Sequence, residues 1–309
     1  MTDISKLGEF GLIHHLTDNI KTKNESTIKG VGDDCAVLHY PDSEVLVTTD
    51  MLMEGVHFDL TYIDMQHLGY KSAMVNISDI FAMNGTPRQL TVSLALSKRF
   101  KVEDMEQFYS GLRMACEKWG VDIAGGDTTS SYTGLAISIT CIGEARKKND
   151  KRALEQLRDF QPDFAGKEYL LQRQLQTEAR GDIIARFREL NIHPTAMMDI
   201  SDGLSSELMH ICKQSNCGCR IYEKNIPIDY QTAVMAEELN MNVTTCALNG
   251  GEDYELLFTV PIGDHEKIQQ MDGVKLIGHI TRPELGQMLV TRDNQEFELK
   301  AQGWNPLSK

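Results

Sequence analysis

Two common routes to nucleotide binding are missing from this sequence. It contains neither a G-x-x-x-x-G-K-[ST] loop nor a G-x-G-x-x-G turn, which excludes a P-loop and a dinucleotide-binding Rossmann unit. No stretch approaches the ~18 uninterrupted apolar residues of a membrane helix, so no bilayer span is expected. Basic residues are in the minority: 31 Lys and Arg face 45 Asp and Glu, a formal charge of −14. That balance argues against nucleic acid as the main partner, because a phosphate backbone wants a basic surface. The seven cysteines, at 35, 116, 141, 212, 217, 219 and 246, are odd in number and irregular in spacing. A secreted disulfide framework is therefore disfavoured. Cys217 and Cys219 form the only close pair, with no second pair or His cluster at zinc-site spacing. Reduced thiols without a functional role are expected. The opening MTDISKLGEF has neither the basic start nor the apolar core of a secretory signal, so a cytoplasmic protein is expected.

What is present reads as a folded α/β protein. The 309 residues are 41% hydrophobic and 25% charged, too apolar for disorder, and their length suits about two domains of ~150 residues. Residues 35–40, 45–49, 89–96 and 135–142 are β-rich runs. Between them Tyr70, Met74, Ile77 and Phe81 recur at helical spacing. So do Met105, Phe108, Leu112, Ala115 and Trp119, ahead of a Gly120 that suits a helix end. Farther on, 196–200, 255–260 and 274–280 read as strands, and Leu204, Leu208 and Ile211 share one helix face. Polar residues of both charge signs fill 145–166, which places the domain boundary there: an amino-terminal domain over 1–145 and a carboxyl-terminal one over 146–309.

The informative pattern is acidic. Aspartates and one glutamate recur beside small residues in GDD (32–34), TTD (48–50), NISD (76–79), GGDT (125–128), DISDG (199–203) and GGED (250–253). Any one of these is an ordinary turn or helix cap; Asp202 could simply cap the helix that starts near Leu204. Two details push further. Asp50 ends a β-rich run with no helix beginning at once. Asp79 lies within a helical pattern, on the polar face it shares with Asn76, although Asp is a poor interior helix residue. Several carboxylates converging on one place repel unless cations intervene. Oxygen ligands with Thr and Ser hydroxyls beside them suit Mg²⁺ bound together with substrate phosphates.

These segments carry a resemblance. GEFGLI, GVGDDCAV, TTDMLMEGVHF, KSAMVNISDIFAMNGTP, AGGDTTSS, MMDISDGLSSEL, GGEDYELLFTV and IGHI occur in the order seen in the thiamine-monophosphate kinase family, from about Leu7 to the carboxyl terminus. TTDMLMEGVHF, DISDGL and GGEDYEL are the most specific of them. The resemblance implies a two-domain, aminoimidazole-ribonucleotide-synthetase-like α/β fold, with mixed sheets, flanking helices and a homodimer formed through the amino-terminal sheets. It implies phosphorylation of thiamine monophosphate to thiamine diphosphate, with ATP as co-substrate and several Mg²⁺ ions. Matched residue by residue, the metal ligands fall on Asp33, Thr48, Thr49, Asp50, Asp79, Asp127, Asp199 and Asp202. ATP contacts fall on Tyr109, Gly126, Asp127 and Ser201, and substrate contacts on His57, Glu252 and Trp304. One departure stands out. After GEA (143–145) the family has an Arg-x-Gly-Ala stretch, a strand and a glycine-rich turn, and here 146–160 runs almost directly into QPDFAGKEYL. Either the second domain is shortened near 146–160 or the sequence as written omits a segment there, and the intact motifs on both sides favour the omission; neither Arg146 nor Arg152 can be equated with the family's nucleotide-binding arginine.

The chemistry implied suits the residues available. Phosphoryl transfer is mainly positioning and charge neutralisation. The acceptor phosphate, with a second pKa of ~6, is already ionised near neutral pH and needs no strong base. Direct transfer without a phosphoenzyme is expected, and no residue is expected to act covalently. The competing readings are another ATP-dependent enzyme of the superfamily and a non-catalytic nucleotide-binding regulator. Selenophosphate synthetases and hydrogenase-maturation proteins need a reactive amino-terminal or carboxyl-terminal cysteine, whereas the first cysteine here is Cys35 and the chain ends NPLSK.

Overall fold

The computed structural model describes residues 27–29, 35–40, 43–145 and 173–301. They divide into two units: 27–145 with Leu175–Ala179, and 173–174 with 180–301. Asp33, Trp304 and the stretch 146–160 lie outside the described residues.

The first unit is a six-stranded sheet with two long helices. Its strands are β1 (Thr27–Lys29), β2 (Ala36–Tyr40), β3 (Ser43–Met53), β4 (Thr86–Leu96), β5 (Asp122–Ser130) and β6 (Leu135–Glu144), in the order β1-β2-β3-β6-β4-β5. All neighbours are antiparallel except β4 and β5, which run parallel. Helix α1 (Met65–Ala82) connects β3 to β4, and α2 (Val102–Trp119) connects β4 to β5. Asp64 caps α1 by accepting from His67 N at 2.8 Å, and α2 ends at the expected Gly120 in the left-handed region. Strands β2, β3, β4 and β6 contain the sequence-predicted runs. The edge strand β5 was not expected, because AGGDTTSS is glycine-rich and polar where strands are usually β-branched or aromatic.

The two helices approach until backbone meets backbone. A Cβ on Gly69 would lie 1.9 Å from Phe108 O, and one on Gly111 would lie 1.8 Å from Gln66 O. This crossing therefore requires glycine at both positions. Around it Leu68, Met74, Ile77, Ile80, Phe81, Phe108 and Leu112 are buried, and Phe81 meets the Trp119 ring edge-on at 4.9 Å. Glu178 is tied to the same helices: Tyr70 donates to Oε1 at 2.7 Å, and Lys118 Nζ lies 2.6 Å from Oε2.

The second unit comprises α3 (Gly181–Leu190), β7 (Ala196–Asp199), α4 (Leu204–Gln214), β8 (Gly218–Tyr222), α5 (Tyr230–Glu238), α6 (Val243–Asn249), β9 (Leu256–Thr259), α7 (His265–Gln269), β10 (Gly278–Thr281), β11 (Gln287–Val290) and β12 (Glu296–Glu298). Strands β10-β8-β11-β12 form one sheet, and β7 pairs antiparallel with β9 in another. Leu204, Leu208 and Ile211 of α4 pack with Ile221, Ile226, Leu248 and Leu257, as the helical spacing required. Only the end of the expected strand 274–280 pairs. All seven cysteines are free, and no described helix is long and apolar enough to cross a membrane.

Candidate active site

In the first unit, strand and helix periodicity bring one group of oxygen ligands together. Side chains two apart on a strand share a face, so Thr48 and Asp50 of β3 point the same way. Asn76 and Asp79, three apart on α1, also share a face. The pairs meet. Thr48 Oγ1 donates to Asp79 Oδ2, and Asp50 N donates to Asn76 Oδ1 at 3.2 Å. Asn76, with no exposed surface, is held in turn by its Nδ2 donating to Ser72 O at 3.1 Å. The polar face of α1 thus packs toward the sheet. Asp50 sits inside β3, which continues to Met53, and does not end a strand. On the paired strand, burial first, and then the charges of Asp79 and Asp50 among others, push the Cys141 thiol well up. Both carboxylates therefore act on one neighbourhood.

Thr49 does not join them through its side chain. It lies on the opposite face of β3, where Oγ1 donates to Ile139 O at 3.0 Å. Asp127 stands exposed on β5 opposite Ser93, with Oδ1 accepting from Thr128 N at 2.8 Å. Gly126, beside it, has a structural need of its own. A Cβ there would lie 1.9 Å from Val92 O, so the parallel β4–β5 pairing demands glycine whatever binds nearby. Tyr109 is half-buried on α2, edge-on to Phe108 at 5.8 Å. His57 closes the turn after β3: its Nδ1 accepts from Met53 N at 3.0 Å, which places the neutral ring's proton on Nε2.

The second unit presents another constellation. Asp199, 3% exposed, ends β7, and the loop after it is laced to the loop before β9. Ile200 N donates to Glu255 O at 2.9 Å, Glu252 N to Ser201 O at 2.7 Å, and Tyr254 N to Ile200 O at 2.8 Å. Glu252 and Tyr254 hold left-handed backbones, φ 65° and 50°, which side-chain-bearing residues adopt at a cost of about 1–3 kcal/mol. Such strain gathers at functional loops, an independent mark on Glu252, whose Oε2 accepts from Gln174 Nε2 at 2.9 Å. Asp202 is not a helix cap, because the cap of α4 is Gly203. Burial pushes the Asp202 carboxyl up.

One functional neighbour escaped the sequence reading. Glu207, in the first turn of α4 and 2% exposed, turns Oε1 back to accept from Ser201 N at 3.1 Å, Ser201 Oγ at 3.4 Å and Asp202 N at 2.8 Å. Burial pushes its carboxyl up to about 7. The signal was an acidic residue in a first helical turn, as in a capping box, but its partners lie upstream of the cap.

A cavity of about 1050 Å³ in the second unit reaches this constellation, with Ile200, Gly250, Gly251 and Glu252 among its lining residues. The rest of its wall is largely apolar (Ile183, Leu204, Leu208, Ile221, Phe258), and Arg180, which also lines it, is paired with Asp182 and Glu255. Among the described residues no group of three or more His, Cys, Asp or Glu is set to hold a metal ion. Magnesium does not require such a cage. It keeps several waters and commonly takes one or two carboxylates plus substrate phosphates, which the oxygen-only set of Thr48, Asp50 and Asp79 fits.

Comparison with known proteins identifies the fold and the family. Residues 32–145 match the family model described as AIR synthase related protein, N-terminal domain. The thiamine-monophosphate kinase of Aquifex aeolicus (strain VF5) is 34% identical over 278 residues, spanning 84% of this chain and 87% of its own. The solved structure of AaThiL complexed with AMPPCP and TMP matches with a TM-score of 0.81 at 30% identity, covering 99% of both chains. The hydrogenase maturation protein HypE in complex with ATP, at 18% identity and a TM-score of 0.64, shares the fold alone. The chain has the two-domain aminoimidazole-ribonucleotide-synthetase-like α/β fold and, by its identity to the Aquifex enzyme over most of both lengths, belongs to the thiamine-monophosphate kinase family.

Proposed function

We propose that this chain transfers the γ-phosphoryl group of ATP to the phosphate of thiamine monophosphate, giving thiamine diphosphate and ADP. The observation that carries the reading is the pairing of Asp50 and Asp79 through Thr48 and Asn76, in a chain of this family. Asp33, Thr48, Asp50, Asp79 and Asp127 of the first unit, and Asp199 and Asp202 of the second, would hold Mg²⁺. Thr49, whose hydroxyl is committed on the other face of β3, would serve only through its carbonyl oxygen. When bound, the ions neutralise phosphate charge during in-line transfer.

The protein's own groups position and exclude. Thr48 aims the Asp79 carboxylate, and buried Asn76 braces the backbone at Asp50. Tyr109, Gly126, Asp127 and Ser201 contact ATP. His57 offers Nε2–H to the substrate, and Glu252 and Trp304 hold the thiamine moiety. No side chain takes a proton from the acceptor, because a phosphate monoester is already ionised near neutral pH. We also propose a cytoplasmic homodimer, which light scattering tests. Incubation with ATP, Mg²⁺ and thiamine monophosphate, followed by chromatography, should yield thiamine diphosphate and ADP in equal amounts. Binding of Mg²⁺·ATP without product would overturn the kinase reading in favour of a non-catalytic regulator.

A further inference from the structure

Glu207 is spent on the loop before its helix. An ordinary cap accepts from amides inside the first turn, and a capping-box glutamate reaches back to the cap residue itself. Glu207 reaches farther, to the amides of Asp202 and Ser201, one and two residues ahead of the Gly203 cap. All three hydrogen bonds fall on Oε1. Among the described residues Oε2 is buried with no hydrogen-bond partner. A carboxylate 2% exposed, with one oxygen bare, is a poor device for stabilising a helix, since desolvating the charge costs more than a hydroxyl cap would.

Its effect on the loop is specific. The carbonyls of Ile200 and Ser201 are already fixed by Tyr254 N and Glu252 N. Glu207 fixes the complementary N–H groups of Ser201 and Asp202. Together they leave the peptide planes on either side of Ser201 no freedom to flip, and so set where the Ser201 hydroxyl and the Asp202 carboxylate point. We infer that Glu207 is a positioning residue for phosphoryl transfer, acting through Ser201 and Asp202 and touching neither substrate. The inference rests on the kinase reading above.

The test, run at pH 8 so that the Glu207 carboxyl is ionised, uses Glu207→Gln, which keeps an acceptor of the same shape but loses the charge that strengthens its bonds. Charge-assisted hydrogen bonds are about twice as strong as neutral ones, so a loss of roughly three- to tenfold is expected. It should appear in kcat and in the Mg²⁺·ATP dissociation constant measured by calorimetry, with the KM for thiamine monophosphate within about twofold of wild type. In a Ser201→Ala/Asp202→Ala background the same change should have little further effect on Mg²⁺·ATP affinity, because both routes are already cut. A folded Glu207→Gln protein with wild-type kcat and Mg²⁺·ATP affinity would overturn the proposal. So would an effect that multiplies independently with the Ser201→Ala/Asp202→Ala pair. If the wild-type protein binds Mg²⁺·ATP yet forms no thiamine diphosphate, the kinase reading fails, and calorimetry on the same variants still decides whether Glu207 positions the loop.

Discussion

Replacing Asp79 separates a metal ligand from a structural carboxylate. The Thr48 hydroxyl, on a residue 7% exposed, donates to Asp79 Oδ2. Asp79→Asn supplies an amide oxygen in the same place, so Thr48 stays satisfied and one of two neighbouring negative charges disappears. The metal-free protein should melt at its wild-type temperature or slightly above. Asp79→Ala removes the acceptor and leaves the hydroxyl unpaired, which costs about 1–3 kcal/mol. For domains of this size 1 kcal/mol moves Tm by about 2–4 °C, so the alanine variant should melt about 2–12 °C lower.

Magnesium reverses the ranking between wild type and asparagine. A ligand at 100 times its dissociation constant stabilises by about 2.7 kcal/mol, or roughly 5–11 °C here. If Asp79→Asn weakens binding 100-fold, the gain at that concentration shrinks to RT ln 2, about 0.4 kcal/mol and roughly 1 °C. Thermal unfolding in EDTA and across a MgCl₂ titration gives both numbers, and turnover should fall by orders of magnitude in parallel. Asp50→Asn should behave alike. An asparagine variant that melts as low as alanine without metal, and keeps the full magnesium shift, would refute the cradle and make Asp79 a structural residue.

Three further outcomes are expected. Gly69→Ala or Gly111→Ala forces a Cβ to within 2 Å of a backbone carbonyl oxygen across the α1–α2 crossing, so each should cost at least the ~3 kcal/mol of severe overpacking, read from denaturant midpoints. Burial, and then Glu178, hold the Tyr70 hydroxyl above its ordinary 10.0, so above that pH the unfolded chain loses a proton that the native state keeps. Stability should therefore fall by up to about 1.4 kcal/mol per pH unit in the alkaline limb, and Tyr70→Phe should lessen that slope. Trp304→Ala should raise the KM for thiamine monophosphate a few-fold to about thirty-fold, the worth of ~0.5–2 kcal/mol for a cation over an indole face, with kcat nearly unchanged. A sharp fall in Tm with KM unchanged would make Trp304 a structural anchor.

Long periodic segments were legible in the sequence because burial imposed their pattern. The stripes of α1, α2 and α4 are core faces, and β4 and β6 carry β-rich runs between them. Strand β5 was illegible because its glycine at 126 answers to the Val92 carbonyl of the next strand, a tertiary demand with no local signature. The acidic motifs were visible as a set, but their local settings were not. Asp50 read as a strand end and lies inside one; Asp202 could equally have been a cap, but the glycine beside it does the capping. Glu207 was silent because a first-turn glutamate is commonplace, and only a fold that returns it to Ser201 and Asp202 gives it work.

The Asp50–Asp79 group also shows how tightly register determines this chemistry. Contacts pair Thr48 with Asp79 and Asp50 with Asn76, so advancing two residues along β3 corresponds to retreating three along α1. Two strand residues rise ~6.6 Å and three helical residues ~4.5 Å, close enough for one face of each element to stay in contact over that span and no farther. A one-residue slip of β3 against β6 would exchange faces, turning Thr49 toward α1 and carrying Thr48 and Asp50 away. The slip is opposed where it would act: Thr49 Oγ1 is bonded to Ile139 O on the far face, and Thr140 Oγ1 donates to Thr49 Oγ1 at 3.1 Å. Thr49 thus contributes to the carboxylate pair by locking the strand that carries Asp50. Thr49→Val keeps the β-branched shape and removes both bonds. It should weaken magnesium-dependent stabilisation less than Asp50→Asn does, and a loss as large as that of Asp50→Asn would show that the Thr49 hydroxyl is itself a ligand.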